Sequence, residues 1–184
     1  MKTVSYYLTP DEYEPILKRL QGQLRIISKE HFSMGEVCPS SPIKKEELFA
    51  LFPSGMRMLE LWKWQYAGTD RKPSDVTIVK GNVGIHIDYD FGITALVLLR
   101  IESLCSDIGC SLEKSLFETT NYLWANNQLT EVTEGTVVIF DSSKDHAWFS
   151  SGVATFLCIP IKKVRLRPKD DVKSQLLNSK TKHV

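Results

Sequence analysis

Three observations predict an α+β fold, with helices at the front and a sandwich or barrel of short strands behind them. The texture changes along the chain: large apolar and aromatic residues at helical spacing fill roughly residues 1–70. After them come short β-branched runs, VTIV, VGIHI, ITALVLLRI, TVVIF and VATFLCIPI. Strands and helices do not alternate regularly, which argues against a doubly wound parallel sheet and favours a sandwich or barrel buttressed by helices. A length of 184 residues suits one domain with a real core. That domain is expected over residues 1–168, with its barrel at about 76–164 and a polar, frayed tail over 169–184.

Thr9, Pro10, Asp11 and Glu12 make a helix start: a hydroxyl cap, a proline in the first turn and acids at the positive end of the dipole. The helix is expected to run to about Leu24. Val37 to Pro42, VCPSSP, reads as a loop because prolines and serines break any period. Lys44 to Phe52 reads as helix, Pro53 to Gly55 as punctuation, and MRMLELWKWQYAG as a resumed helical, aromatic segment. GTDRKPSD is a polar linker into the strands. Ser111 to Ala125 fits either state: Leu112, Leu116 and Leu123 would ride a helix, while ETTNYLW suits a strand. No internal repeat is visible.

The composition, 42% hydrophobic and 24% charged with a formal charge of +1, is that of a globular protein and gives no electrostatic case for a nucleic-acid partner. No stretch approaches the roughly 18 apolar residues of a membrane span, and the first residues lack a signal-peptide core, so a cytoplasmic protein is expected. Cys38, Cys105, Cys110 and Cys158 lack the close pairing of a zinc site and read as free thiols, with a Cys105–Cys110 bridge the lesser alternative.

Chemistry concentrates in GNVGIHIDYDFG. Alternate residues of a strand share a face, so His86, Asp88 and Asp90 would lie opposite Ile85, Ile87 and Tyr89. Asp90, before Phe91 and Gly92, reads as a turn residue. Later, EGTVVIFDSSKDHAWFSSGVATFLCIPI runs from Gly135 through a strand to Phe140, a polar turn from Asp141 to Asp145, then His146, Gly152 and a last apolar strand. Two imidazoles and a carboxylate on one face of an ion, with other positions open, suit non-haem ferrous iron and oxygen chemistry. Trp148, two residues past His146, would face the same pocket and contact substrate.

The ordered set HxD, strand, glycine-strand-turn-histidine and closing strand resembles the iron(II)- and 2-oxoglutarate-dependent dioxygenases over about Val76 to Val164. The resemblance implies a double-stranded β-helix, a jelly-roll or cupin-like barrel, with the helices as its buttress. It implies His86, Asp88 and His146 as ligands of Fe(II), with 2-oxoglutarate and O2 as cosubstrates and hydroxylation of an unidentified prime substrate as the reaction. One departure accompanies it. Many members carry a basic residue about ten positions past the second histidine to bind the distal carboxylate of 2-oxoglutarate; here that stretch reads Val153, Ala154, Thr155, Phe156. Other branches use a basic residue on the strand after HxD, which makes Arg100 the expected anchor. Its fork suits a carboxylate, and Thr155 or Tyr89 would add a hydroxyl contact.

Other readings take less of the chain into account. Asp141, Asp145 and His146 beside Ser142, Ser143 or Ser150 lack the G-x-S-x-G elbow of a hydrolase. Gly81 and Gly84 lack the helix start of a phosphate loop. Trp62, Trp64 and Tyr66 read as core between helix and barrel, Lys162, Lys163, Arg165, Arg167 and Lys169 as a solvated basic strip, and His31 and His183 carry no role. Against the oxygenase stand two alternatives: a catalytically inactive or cupin-like barrel that binds a metal or small acid, and an interaction module built on the aromatic front.

Overall fold

The computed structural model describes residues 4–29, 41–88, 92–103 and 121–164. Two antiparallel sheets and a helical layer account for them. The larger sheet has the strand order β1 (Val4–Tyr7), β9 (Thr136–Asp141), β6 (Ile93–Ser103), β11 (Gly152–Lys163), β4 (Ser74–Lys80) and β2 (Ser41–Ile43), with β3 (Trp64–Tyr66) paired to the far end of β11. The smaller sheet runs β5 (Val83–His86), β10 (His146–Phe149), β7 (Tyr122–Ala125) and β8 (Gln128–Glu131).

Period-two patterning gives the larger sheet two apolar faces. On β11, Leu157, Ile159 and Ile161 join Val97 and Val76 against Ile16 of α1 (Pro10–Lys29), Leu48 of α2 (Lys45–Leu51) and Met56 and Leu59 of α3 (Pro53–Leu61). The opposite face turns Ala154 and Phe156, with Leu98, Val138 and Phe140, toward Leu123, Ala125 and Trp148 of the smaller sheet. The core therefore lies in two slabs, and the second slab surrounds the site. Among the described residues no helix is long and apolar enough to cross a membrane.

The helix at Pro10 extends past the expected Leu24 to Lys29. At its start Glu12 accepts hydrogen bonds from both the backbone N–H and the hydroxyl of Thr9, at 2.7 and 3.1 Å, so the Thr9 hydroxyl donates to the Glu12 side chain instead of accepting from its N–H as a hydroxyl cap would. Pro53 begins α3 instead of interrupting a helix, because its missing N–H costs nothing in a first turn. The aromatic segment leaves the helix after Leu61: Lys63 takes a left-handed φ of 64°, and Trp64 to Tyr66 become a strand. Trp64 is buried and Tyr66 half-buried, but Trp62 is 56% exposed, so only part of that set is core.

Two stretches read as loop or linker are paired. Ser41 to Ile43 lie along β4 with Pro42 opposite Asp75, a position an edge strand tolerates. Ser74 and Asp75, at the end of the expected linker, begin β4 itself. Val4 to Tyr7, which falls in the expected helical front, closes the other edge on β9. Tyr122 to Ala125 take the strand alternative of the ambiguous segment. Residues 37–40, Ser111 to residue 120, Cys38, Cys105, Cys110, His31, His183, Arg165, Arg167, Lys169 and the tail lie outside the described residues.

Candidate metal centre

His86 and His146 meet because β5 and β10 pair directly across them. The same pairing then slips: Trp148 lies opposite Val83, so β5 carries one extra residue between Val83 and His86. That bulge lets Val83 and His86 both face inward while Gly84 and Ile85 are exposed. Asp88 follows on the same chain, its backbone N–H held by the Ser142 carbonyl at 2.8 Å.

Both imidazoles are oriented alike. The Nδ1–H of His86 donates to the Gly84 carbonyl at 2.8 Å and that of His146 to the Lys144 carbonyl at 2.9 Å, which leaves each Nε2 lone pair for a ligand. The two Nε2 atoms lie 3.7 Å and 3.4 Å from the two oxygens of Asp88, and the ring centroids are 4.1 Å apart. One ligand atom from each residue falls within 4.8 Å of the other two. A carboxylate between two outward-pointing imidazole lone pairs is a complete donor set for one divalent ion. Iron(II) fits it on chemistry as well as placement.

The turn before His146 is tied down by its own polar residues. Ser143 donates to Asp141 Oδ1 through its N–H and hydroxyl, and with Lys144 nearby this holds the Asp141 carboxyl below its usual range. Ser142 donates its hydroxyl to the Gly92 carbonyl, and Ser150 donates to Asn121. Ser142, Ser143 and Ser150 are thus committed to turn and strand ends, and none is set up as a nucleophile.

His146 is 5% exposed, whereas His86 and Asp88 stand at the mouth of the cavity. Burial alone would lower the His146 pKa, but the Asp88 carboxylate and the Lys144 carbonyl outweigh it and the net shift is upward. A folded-state value above the unfolded one stabilises the metal-free protein below about pH 6.5, and that contribution is lost as pH rises through the folded-state value. The Tm difference between wild type and His146→Asn, both metal-free, is therefore expected to shrink between pH 6 and pH 8; a difference that grows would contradict the linkage.

The cavity behind the three residues is about 300 Å³. Val79, Leu96, Leu123, Phe140 and Phe156 give it apolar walls, and Trp148 lines it as the alternation predicted, packed edge-on to Phe156 at 4.7 Å between centroids.

Arg100 and Thr155 are not brought to this cavity. Strict alternation would put Arg100 beside Thr94, Leu96 and Leu98, but the β6–β11 register shifts: Thr155 pairs with Arg100 and Phe156 with Leu98, leaving Leu99 as an extra residue. Past this bulge the faces exchange. Ile101 packs into the cavity-side core, while Arg100 is exposed and pairs with Glu102 at 2.5 Å. Thr155, directly across from Arg100, shares the face turned away from the cavity and is itself buried. Tyr89 and Asp90 lie outside the described residues.

Asp75, Thr77 and Cys158 line the cavity and were missed. The available signal was SDVTIV, where Asp75, Thr77 and Val79 alternate with the core residues Val76 and Ile78; assigning Asp75 to a linker hid it.

No protein-family model matches the sequence, and no curated protein matches it. Solved structures do. A prolyl-4-hydroxylase from Pseudomonas putida aligns over 88% of this chain and 91% of its own at 11% identity, with a TM-score of 0.50. The likeness is one of fold. A 2OG-Fe(II) oxygenase family oxidoreductase from Burkholderia pseudomallei (10% identity, 87% and 84% covered, TM-score 0.46) and a prolyl 4-hydroxylase from Phytophthora capsici (14%, 96% and 66%, TM-score 0.44) align more loosely.

Proposed function

We propose that the chain is a non-haem iron(II) oxygenase on a double-stranded β-helix, most simply a hydroxylase, with iron held by His86, Asp88 and His146. The observation that carries this reading is the convergence of both Nε2 atoms on the Asp88 carboxylate, with each Nδ1 already engaged by a backbone carbonyl. Bound iron would supply Lewis acidity and oxygen activation. His146, at the buried end of the set, anchors the metal. His86 and Asp88 leave it approachable from the mouth, and the apolar walls exclude water from whatever occupies the cavity.

The cosubstrate fits less well. The distal carboxylate of 2-oxoglutarate needs a cation, and the described lining carries the carboxylates of Asp75 and Asp88 with no lysine or arginine. This observation favours a second reading, a cupin-like barrel that binds metal without 2-oxoglutarate.

Anaerobic titration with ferrous iron and then 2-oxoglutarate separates the two. Stoichiometric iron binding lost in His86→Ala is expected under both readings. A visible charge-transfer band on adding 2-oxoglutarate would assign the cosubstrate, and iron binding without the band would favour the second reading. No iron binding by the wild type would overturn both.

A further inference from the structure

Among the described residues the Asp88 carboxylate pairs with the two imidazoles and with no other side chain. A ligating carboxylate is ordinarily aimed by hydrogen bonds of its own, so here the aim must come from the backbone that carries it. That backbone is held by Ser142, the residue that follows β9 in the turn leading to His146. The Ser142 carbonyl accepts the Asp88 N–H at 2.8 Å, while its own N–H and hydroxyl both donate to the Gly92 carbonyl, at 2.8 and 2.9 Å. With its proton committed to Gly92, the Ser142 hydroxyl accepts from the Thr94 hydroxyl, 3.2 Å away. The N–H bond prolongs the β6–β9 ladder past Ile93 and Asp141. The hydroxyl chain from Thr94 through Ser142 to Gly92 belongs to no ladder and needs these side chains. Ser142 is 1% exposed and Thr94 3%, so water does not compete for those bonds.

We propose that Ser142 is a positioning residue of the metal centre, which with Thr94 behind it sets the place of the Asp88 carboxylate between the two imidazoles. Neither hydroxyl touches the ion in this role. Ser142 acts through its carbonyl on Asp88, and its hydroxyl chain keeps that carbonyl in place. Because the same residue lies in the turn that delivers His146, it couples the carboxylate at the mouth to the buried histidine. The role rests on the reading of His86, Asp88 and His146 as the donor set.

Zinc affinity of the full chain, measured by competition with a chromophoric chelator and with circular dichroism to verify the fold, tests it. Ser142→Ala is expected to weaken zinc binding about tenfold, the lower end of what the outer partners of metal ligands contribute. Thr94→Val is expected to weaken it a few-fold, with recovery in Thr94→Ser, which restores the hydroxyl. Both losses are expected to vanish in an Asp88→Ala background and to persist in a His86→Ala background, a pattern that general destabilisation does not produce. In the metal-free protein, the Asp88 amide is expected to exchange its hydrogen several-fold faster in Ser142→Ala. Unchanged zinc affinity or unchanged Asp88 exchange in a folded Ser142→Ala overturns the proposal, as does a loss of equal size in both backgrounds. Should Ser142→Ala not fold, equal zinc affinity of Thr94→Val and Thr94→Ser overturns it. A wild type that binds no zinc overturns the metal-centre reading and this role together, whereas zinc bound with no response to these variants overturns the role alone.

Discussion

His146→Ala is expected to weaken ferrous-iron binding by roughly 100-fold or more, because loss of even an outer partner of a metal ligand costs about 10–100-fold and here a ligand itself is removed. His146 is the buried member, packed 5.1 Å from the Phe140 ring between centroids, and the remaining pair, His86 and Asp88, stands at the solvent-facing mouth. Two partly hydrated ligands lose most of the pre-organisation that three provide. Anaerobic titration of variant and wild type, with circular dichroism to verify the fold, measures it. Retained stoichiometric, tight iron binding would show that the metal does not use this set.

Leu157→Ala is expected to cost about 2–5 kcal/mol of stability, the range for leucine truncations in cores that collapse poorly. Leu157 is fully buried on β11, which pairs with β6 on one side and β4 on the other, placing it between Val97 and Val76. Held on both sides by ladder hydrogen bonds, the strand has little freedom to fill the void. Its side chain belongs to the helix-facing slab, so iron affinity of the folded protein should be unchanged. Urea unfolding with a metal titration checks both halves; an iron affinity that falls with stability would mean that the slabs are coupled.

Local chemistry was legible wherever one residue's immediate neighbours decide its conformation. Thr9 to Glu12 set the first helix, the Asp141 to Asp145 turn delivers His146, and Gly135, at φ +82°, makes the turn into β9 where an added Cβ would strike the Leu8 carbonyl. Period-two alternation was equally legible. It carried Trp148 to the face of His146, whereas β5 bulges before His86 and ends there, so Asp88 reaches the site from the segment beyond that strand.

Register lay beyond that reach. One extra residue in β6 removed Arg100 from the cavity, and one in β5 let Val83 and His86 both turn inward. A bulge is settled by how two strands distant in sequence accommodate each other, so neither strand alone signals it. The placement of Asp75 on the cavity wall is of the same kind, because it depends on β11 lying beside β4. By itself the sequence determined the first helix, the strand-rich back and the candidate donors His86, Asp88 and His146, since these are marked by short-range periodicity, turn chemistry and the order of their motifs. Only the tertiary structure decided which side chains share the cavity with them, because that depends on long-range strand pairing, where a single residue of slip reverses the face.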